Sequence, residues 1–201
     1  MGYDLYLFQP EPGVDPKVTA EKLMLEEDEA AAGEDGELDL IKGLNPGEPN
    51  PEYEQRKRKI AEQLTASDVD LEVFGFDFDE LAKAHNISKE EARKRFRHIE
   101  LNGPEDVGAQ IELEDTTGAI SLPYWHSGAA AVSAFKKIWS YLEILEREGG
   151  YKAYDPQLDK VLDLERDFEK VIGTYEAGVQ FTGQAAAQFI EELAQEDDDN
   201  T

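Results

Sequence analysis

Apolar and polar residues alternate along the middle of the chain, in the segments 98–101, 109–113 and 119–122. A period of two is typical of β-strands that have one buried and one solvent-facing side. The residues at 115–118 (Asp, Thr, Thr and Gly) favour a tight turn between the last two segments. We therefore expect an antiparallel meander in this part of the chain.

Two other patterns stand on either side of the meander. The N-terminal segment 3–8 is apolar on both faces, which predicts an interior strand. Apolar residues recur at spacings of three and four between 135 and 145, which predicts a long amphipathic helix that ends at the glycine pair 149–150. Two short strands and two helices are predicted toward the C-terminus, at 151–154, 161–162, 163–175 and 184–193.

Helix starts are marked by capping residues. An Asp or Asn followed by Pro at 15–16 and 50–51 predicts two helices, and a capping box at Ser88 predicts a third. The second helix carries four consecutive basic residues at 56–59, which we expect not to face the core together.

These elements predict an α+β fold, with a mostly antiparallel sheet of about five to six strands and helices packed on one face. We expect a single domain over 1–195 and a disordered acidic tail at 196–201. Nine carboxylates and one lysine lie between residues 21 and 39. Like charges at that density oppose compaction, so we expect a mobile acidic loop insertion at 26–49.

Charge adds the first functional information. The chain has 46 Asp and Glu against 20 Lys and Arg, a formal net charge of −26. That charge repels nucleic acid and acidic membranes and attracts basic proteins, so we expect a basic protein partner. Acidity that serves only solubility stays an alternative. The acidic residues expected to bind the partner are those of the insertion: Glu26, Glu27, Asp28, Glu29, Glu34, Asp35, Glu37 and Asp39.

A helix-turn-helix is one interpretation of residues 81–97, because two short helices are predicted there and the second is basic. The net charge argues against DNA binding. The alternative is a charged helical hairpin whose cations pair with the protein's own acids. Just before it, Phe74, Phe76 and Phe78 alternate with polar or small residues, and we expect their rings to anchor the core.

Little in the sequence points to catalysis. The chain has no cysteine, and its three histidines lack partners at ligand spacing, so we expect no metal and no cofactor. One alternative is a small enzyme that uses Tyr124 and His126 at a strand-to-helix junction. The cleft of such an enzyme would be formed by Trp125, His126, Tyr154, Asp155 and Gln157. The simpler interpretation is that Trp125 fills the core and that Ser127 or His126 caps the helix. A scaffold or regulatory module is a third possibility.

The N-terminus lacks the pattern of a secretory signal, and no apolar run approaches the ~18 residues that span a bilayer. We therefore expect a cytoplasmic location.

Two short motifs carry a resemblance: Tyr3-Asp4-Leu5 at the N-terminus and Tyr154-Asp155-Pro156-Gln157 after the long helix. With them, the chain resembles small uncharacterised acidic bacterial proteins, some of which are similar to immunity proteins of toxin systems. The resemblance implies no catalytic residues. Together with the net charge, it leads us to expect a non-catalytic, immunity-like binding protein that neutralises a basic partner.

Overall fold

A computed structural model of the chain describes residues 2–31, 48–104 and 107–199, and of residues 26–31 and 185–199 it gives the helical backbone alone. These residues form seven strands: β1 (Gly2–Phe8), β2 (Glu72–Val73), β3 (Ile99–Asn102), β4 (Gln110–Leu113), β5 (Thr117–Pro123), β6 (Lys152–Asp155) and β7 (Lys160–Val161). They make one antiparallel sheet in the order β2-β3-β4-β5-β1-β6-β7. The predicted α+β class is confirmed, with slightly more strands than expected.

Six helices accompany the sheet in the described residues: α1 (Pro16–Ala31), α2 (Pro51–Ser67), α3 (Phe78–Ala84), α4 (Lys89–Arg95), α5 (Ala129–Gly149) and α6 (Phe168–Asp199). The predicted caps are present, because the Asn50 side chain accepts from the Glu52 amide and the Ser88 side chain accepts from the Glu91 amide. Gly150, with φ of 67°, ends α5 in the left-handed conformation that favours glycine.

The main core lies between one face of the sheet, here called the inner face, and helices α2, α5 and α6. Tyr3, Leu5 and Leu7 contribute the inner side of β1, and residues in β3, β4 and β5 alternate in the same way. The predicted packing of helices on one face holds for these three helices.

Helix α1 lies on the opposite face of the sheet, here called the outer face. Its residues Ala20, Leu23 and Met24 pack against Tyr6 and Phe8 of β1, and Tyr154 and Val161 complete this second, smaller apolar cluster. Tyr6 and Phe8 made β1 apolar on both faces in the sequence; in the structure α1 covers this face, where Phe8 is buried and Tyr6 is half-buried.

Three differences from the sequence-based prediction concern the ends of elements. The two helices predicted at 163–175 and 184–193 form the single helix α6, which includes positions 196–199 of the predicted tail. Residues 26–31 of the predicted insertion continue α1, whereas 32–47 lie outside the described residues.

Within the described ranges, no helix combines the length and the apolar character needed to cross a bilayer.

Candidate functional site

A row of polar side chains crosses five strands on the outer face. The register places Glu72 of β2 beside Asn102 of β3, which pairs with Gln110 of β4. Gln110 pairs in turn with Ser121 of β5, and Ser121 pairs with Asp4 of β1. All five side chains are on the face opposite the main core, because their strand neighbours point into that core.

A second row, parallel to the first, adds two glutamates. Glu100 of β3 lies directly opposite Glu112 of β4, and Glu112 is opposite Ala119 of β5. Carboxylates that face each other across neighbouring strands repel one another. The two rows, excluding Ala119, are here called the acidic face: Asp4, Glu72, Glu100, Asn102, Gln110, Glu112 and Ser121.

Hydrogen bonds hold the carboxylates of the acidic face in position. Glu100 Oε1 accepts from Gln110 Nε2 at 2.7 Å and from Asn102 Nδ2 at 3.0 Å, and Asp4 Oδ1 accepts from the Ser121 hydroxyl at 2.7 Å. These side chains are half-buried or exposed. Helix α1 packs over β1, β6 and β7, and so it covers the other half of the outer face. The acidic face is therefore an open, ordered surface in the described part of the chain.

An aromatic rim borders the acidic face at its β2 end. The Phe74 amide donates to the Glu100 carbonyl oxygen at 2.8 Å, which places Phe74 beside Glu100. The Phe76 ring meets the Phe74 ring edge-on at a centroid distance of 5.2 Å and the His98 ring at 4.6 Å. Phe74 is 48% exposed, so the prediction that this ring anchors the core was wrong. An exposed ring beside a carboxylate suits a cation, which both groups attract.

His98 lies between this rim and Glu112, with Nε2 3.7 Å from the Glu112 carboxylate. Burial lowers the pKa of His98, and Lys57 lowers it further against the opposing influence of Glu100. The imidazole is consequently neutral at neutral pH and leaves the charge of the acidic face in place.

The protein's own cations are largely engaged by its own acids. The fully buried Lys57 ammonium donates to Asp115 Oδ1 and to the Arg97 carbonyl oxygen, both at 3.0 Å, and lies 2.8 Å from Glu54 Oε1. Arg97 donates to the other Asp115 oxygen at 2.9 Å. One member of the basic run 56–59 thus faces the interior, where three oxygens replace the water around its charge.

The basic residues of the predicted helix-turn-helix are engaged in the same way. Helices α3 and α4 pack together as a helical hairpin. Lys89 binds Asp79 at 2.5 Å, and Lys94 lies 3.1 Å from Glu48. This geometry agrees with the second interpretation of the segment, in which a charged helical hairpin pairs its cations with the protein's own acids. At least fourteen of the 20 Lys and Arg side chains take part in intramolecular ion pairs.

The junction between β5 and α5 places the two residues of the enzyme interpretation in different surroundings. His126 is buried, with Nε2 2.7 Å from the Val107 carbonyl oxygen and 2.8 Å from Trp125 Nε1, so it donates to the carbonyl or accepts from the indole according to its tautomer. The Tyr124 ring stacks on Tyr175, whose hydroxyl accepts from the His126 amide at 3.1 Å.

Two structural predictions at this junction were wrong. Trp125 is 60% exposed, and its ring covers Gly108 instead of filling the core. Neither Ser127 nor His126 caps α5, because the cap is Gly128 and no side chain of the cap bonds to the helix. Glu176 of α6 accepts from the Gly128 amide at 3.1 Å and so places a carboxylate at the N-terminus of α5.

The remaining predicted cleft residues are divided between the two faces of the sheet. Asp155 is fully buried on the inner side, where one carboxylate oxygen accepts from the Tyr3 hydroxyl. Its other oxygen accepts from the amides of Gln157 at 2.9 Å and Leu158 at 3.1 Å. Burial raises the pKa of Asp155 despite these hydrogen bonds. Tyr154 belongs to the apolar cluster under α1 and does not line a cleft with Asp155.

The Tyr3–Asp155 hydrogen bond joins the two motifs that carry the resemblance. Chain positions separated by 152 residues meet there because β1 and β6 are neighbours in the sheet. The Tyr3 ring also packs edge-on against Tyr124 and Tyr175. The two motifs therefore have a shared structural role in joining β1, β6 and the β5–α5 junction.

The acidic residues predicted to bind the partner belong to the end of α1 and to the segment after it. Glu26, Glu27, Asp28 and Glu29 lie on α1 where only the backbone is described, and Glu34, Asp35, Glu37 and Asp39 lie outside the described residues. Among the residues that the structure does describe, no three His, Asp or Glu side chains form a group that could hold a metal ion.

Compared with protein-family models, curated proteins and solved structures, the chain gives no significant match. The resemblance to small acidic bacterial proteins therefore stays a prediction.

The acidic face was not predicted from the sequence. Its residues come from five separate segments, and each segment looks like the ordinary polar side of a strand. The alternation at 98–101 and 109–113 was a sufficient signal for the solvent-facing positions, but the register that lines them up depends on the tertiary pairing of β1 with β5.

Proposed function

We propose that this chain is a non-catalytic binding protein that neutralises a basic protein partner, and that the acidic face is the surface that contacts it. The observation that carries the proposal is the distribution of charge. The net charge is −26, and most cations are already engaged in intramolecular ion pairs. Carboxylates outnumber cations by 26, so a large excess of negative charge remains to attract a basic partner.

An acidic surface of this kind has two physical effects on a basic partner. It accelerates association by long-range attraction, which weakens when salt shortens the Debye length to about 8 Å at physiological ionic strength. It also competes with phosphate for the partner's basic cleft, as an inhibitor of a nuclease would. The fixed carboxylates of Asp4 and Glu100 add directional acceptors for lysine or arginine.

Catalysis at Tyr124 and His126 has less support. The imidazole of His126 is buried and already engaged by the Val107 carbonyl or the Trp125 indole. Burial raises the pKa of Tyr124, and nearby carboxylates raise it further, so its hydroxyl stays protonated at neutral pH. Neither group is presented to solvent as a base.

The test compares three full-length proteins as baits in cell lysate at low salt. The first is the wild type, and the second carries Asp4→Asn, Glu100→Gln and Glu112→Gln, which remove charge and keep an oxygen acceptor. The matched control removes the same charge from exposed positions on the helical side of the molecule. It carries Glu62→Gln, Glu143→Gln and Glu165→Gln.

We expect the wild type and the control to retain the same basic protein and to release it at high salt. We expect the acidic-face variant to bind that protein at least about tenfold more weakly, a change of about 1.4 kcal/mol. Equal weakening by both variants would mean that only total charge matters, and it would overturn the assignment of the surface. Retention of no basic protein by the wild type would overturn the proposed function.

A further inference from the structure

Strand β2 is an edge of the sheet, and one side of its backbone faces away from β3. Glu72 pairs with Asn102 of β3, and the Phe74 amide donates to the Glu100 carbonyl oxygen. The backbone N–H and C=O groups of Glu72 and Phe74 therefore point toward β3. Because an antiparallel strand alternates the direction of these groups, those of Val73 point to the open edge, and we infer the same direction for Gly75, which follows β2 two residues later. A Cβ placed on Gly75 would meet no atom within 4 Å, so space is available beside this edge.

Exposed apolar side chains accompany the edge. Val69 is 87% exposed and Val73 is 55% exposed, and Phe74 adds its partly exposed ring. A shallow groove at the start of β2 is formed by Val69, Glu72 and the turn after β3. Clustered exposed apolar groups on an otherwise highly charged protein indicate a contact surface.

The charge around the edge is negative. Asp70 and Glu72 are exposed beside β2, and Asp77 and Glu80 are exposed just after it. Unpaired edge strands are usually protected by lysine or proline. Here the flanking charges are carboxylates, which repel a second copy of this chain and attract a basic one.

We propose that the β2 edge binds an extended segment of the basic partner by strand addition, so that the segment becomes an eighth strand of the sheet. The inference rests on the proposed function, because the partner is taken to be basic. Backbone hydrogen bonds to Val73 and Gly75 supply the attachment. The added strand continues the acidic face outward from Glu72.

The two faces of the sheet specify the alternation of the bound segment. Side chains on its outer side lie next to Glu72 and Phe74, where an arginine meets both a carboxylate and an aromatic ring. Side chains on its inner side lie next to Val73, whose strand neighbour Leu101 is in the core. A segment of alternating arginine and valine therefore fits this edge.

The test uses the full-length protein and a capped peptide of four Arg-Val repeats at millimolar concentration. Amide hydrogen exchange is followed residue by residue by NMR. We expect exchange of the Val73 and Gly75 amides to slow at least about tenfold when the peptide is bound. A peptide of the same sequence with N-methylated valines and one of four Glu-Val repeats are the controls, and neither should protect these amides.

A pair of variants separates backbone from side-chain contacts. Val73→Pro removes the outward N–H without removing a hydrogen bond to β3, whereas Val73→Thr keeps that N–H. We expect binding of the Arg-Val peptide to fall at least about tenfold with proline and to change less than about threefold with threonine. If Val73→Pro does not fold, the exchange measurement on the wild type decides the question.

The outcomes distinguish this inference from the proposed function. Binding of the Arg-Val peptide with no protection at Val73 and Gly75, or equal protection by the N-methylated peptide, overturns strand addition and leaves a basic ligand for the acidic face. The absence of any binding by the Arg-Val peptide overturns strand addition as well. In that case, the lysate experiment decides separately on the proposed function. Concentration-dependent protection without peptide would instead identify the occupant as a second copy of the chain and overturn the inference.

Discussion

Lys57 provides the sharpest test of the charge arrangement inside the molecule. Its side chain is fully buried on α2 and links Glu54, Asp115 and the carbonyl of Arg97. Replacing it by methionine keeps a chain of similar length and volume but removes the charge and both hydrogen bonds. The negative charges of Glu54 and Asp115 then lose the positive charge that Lys57 places beside them.

The expected cost follows from the burial of the three groups. Removing one member of a buried ion pair costs about 3–5 kcal/mol because the remaining charge is uncompensated. Glu54 and Asp115 keep 22% and 20% exposure, and Arg97 still binds Asp115 at 2.9 Å, so the lower end of that range applies. We expect Lys57→Met to lower the free energy of unfolding by about 3 kcal/mol. For a chain of this length, that corresponds to a fall in Tm of roughly 6–12 °C.

Urea unfolding followed by far-UV circular dichroism measures the change, and calorimetry gives Tm. The matched control is Lys59→Met on the same helix, since the Lys59 side chain is 62% exposed and its ion pair with Glu148 should contribute about 0–1 kcal/mol. Adding Glu54→Gln to Lys57→Met should restore part of the loss. Equal effects of Lys57→Met and Lys59→Met, both under about 1 kcal/mol, would refute the reasoning.

Three further predictions concern individual side-chain environments. Tyr3→Phe removes the hydroxyl that donates to buried Asp155 and should cost about 1–3 kcal/mol in urea unfolding, whereas an unchanged midpoint would contradict the contact. Gly108→Ala should lower the free energy of unfolding by about 1–3 kcal/mol and change the tryptophan emission. Gly108 has a φ of 66°, and a Cβ at this position would overlap the Trp125 ring. Unaltered stability and emission would argue against that packing. Burial lowers the pKa of His98 in the folded state below its unfolded-state value of about 6.5. The contribution of the neutral imidazole to the free energy of unfolding is therefore complete above about pH 6.5 and declines as the pH falls toward the folded-state pKa. His98→Gln should remove that part of the pH dependence of unfolding below about pH 6.5, and a slope identical to the wild type would disprove it.

Local sequence patterns predicted the elements whose signals are themselves local. The caps at Asn50 and Ser88 define helix starts through hydrogen bonds to amides two and three residues away. Alternation in the meander likewise follows from the two environments of each strand. These features require no knowledge of the rest of the chain.

Contacts between distant segments explain the features that the sequence did not predict. Two separate helices were predicted at 163–175 and 184–193, yet α6 is continuous and passes through Gly178. A Cβ at that position would overlap the Tyr124 ring, so this glycine allows a close approach of helix and loop. The interior position of Lys57 similarly depends on Asp115, which lies 58 residues away in the chain.

The candidate site depends most strongly on long-range pairing. Asp4 and Glu100 belong to the same surface only because β5 lies between β1 and β4 in the sheet. No periodicity within either segment contains that information. The overall acidity, in contrast, was evident from composition and led to the expectation of a basic partner without locating a surface for it.

Zero-length carbodiimide cross-linking in lysate, followed by mass spectrometry, tests the central claim most directly, because it joins carboxylates of this protein to lysines of whatever it contacts. We predict cross-links from Asp4, Glu72, Glu100 or Glu112 to one basic protein, and their loss at high salt. Cross-links to that protein that arise only from carboxylates on the helical side, such as Glu62 and Glu143, would contradict the assignment of the acidic face. Cross-links to no basic protein at all would contradict the proposed function.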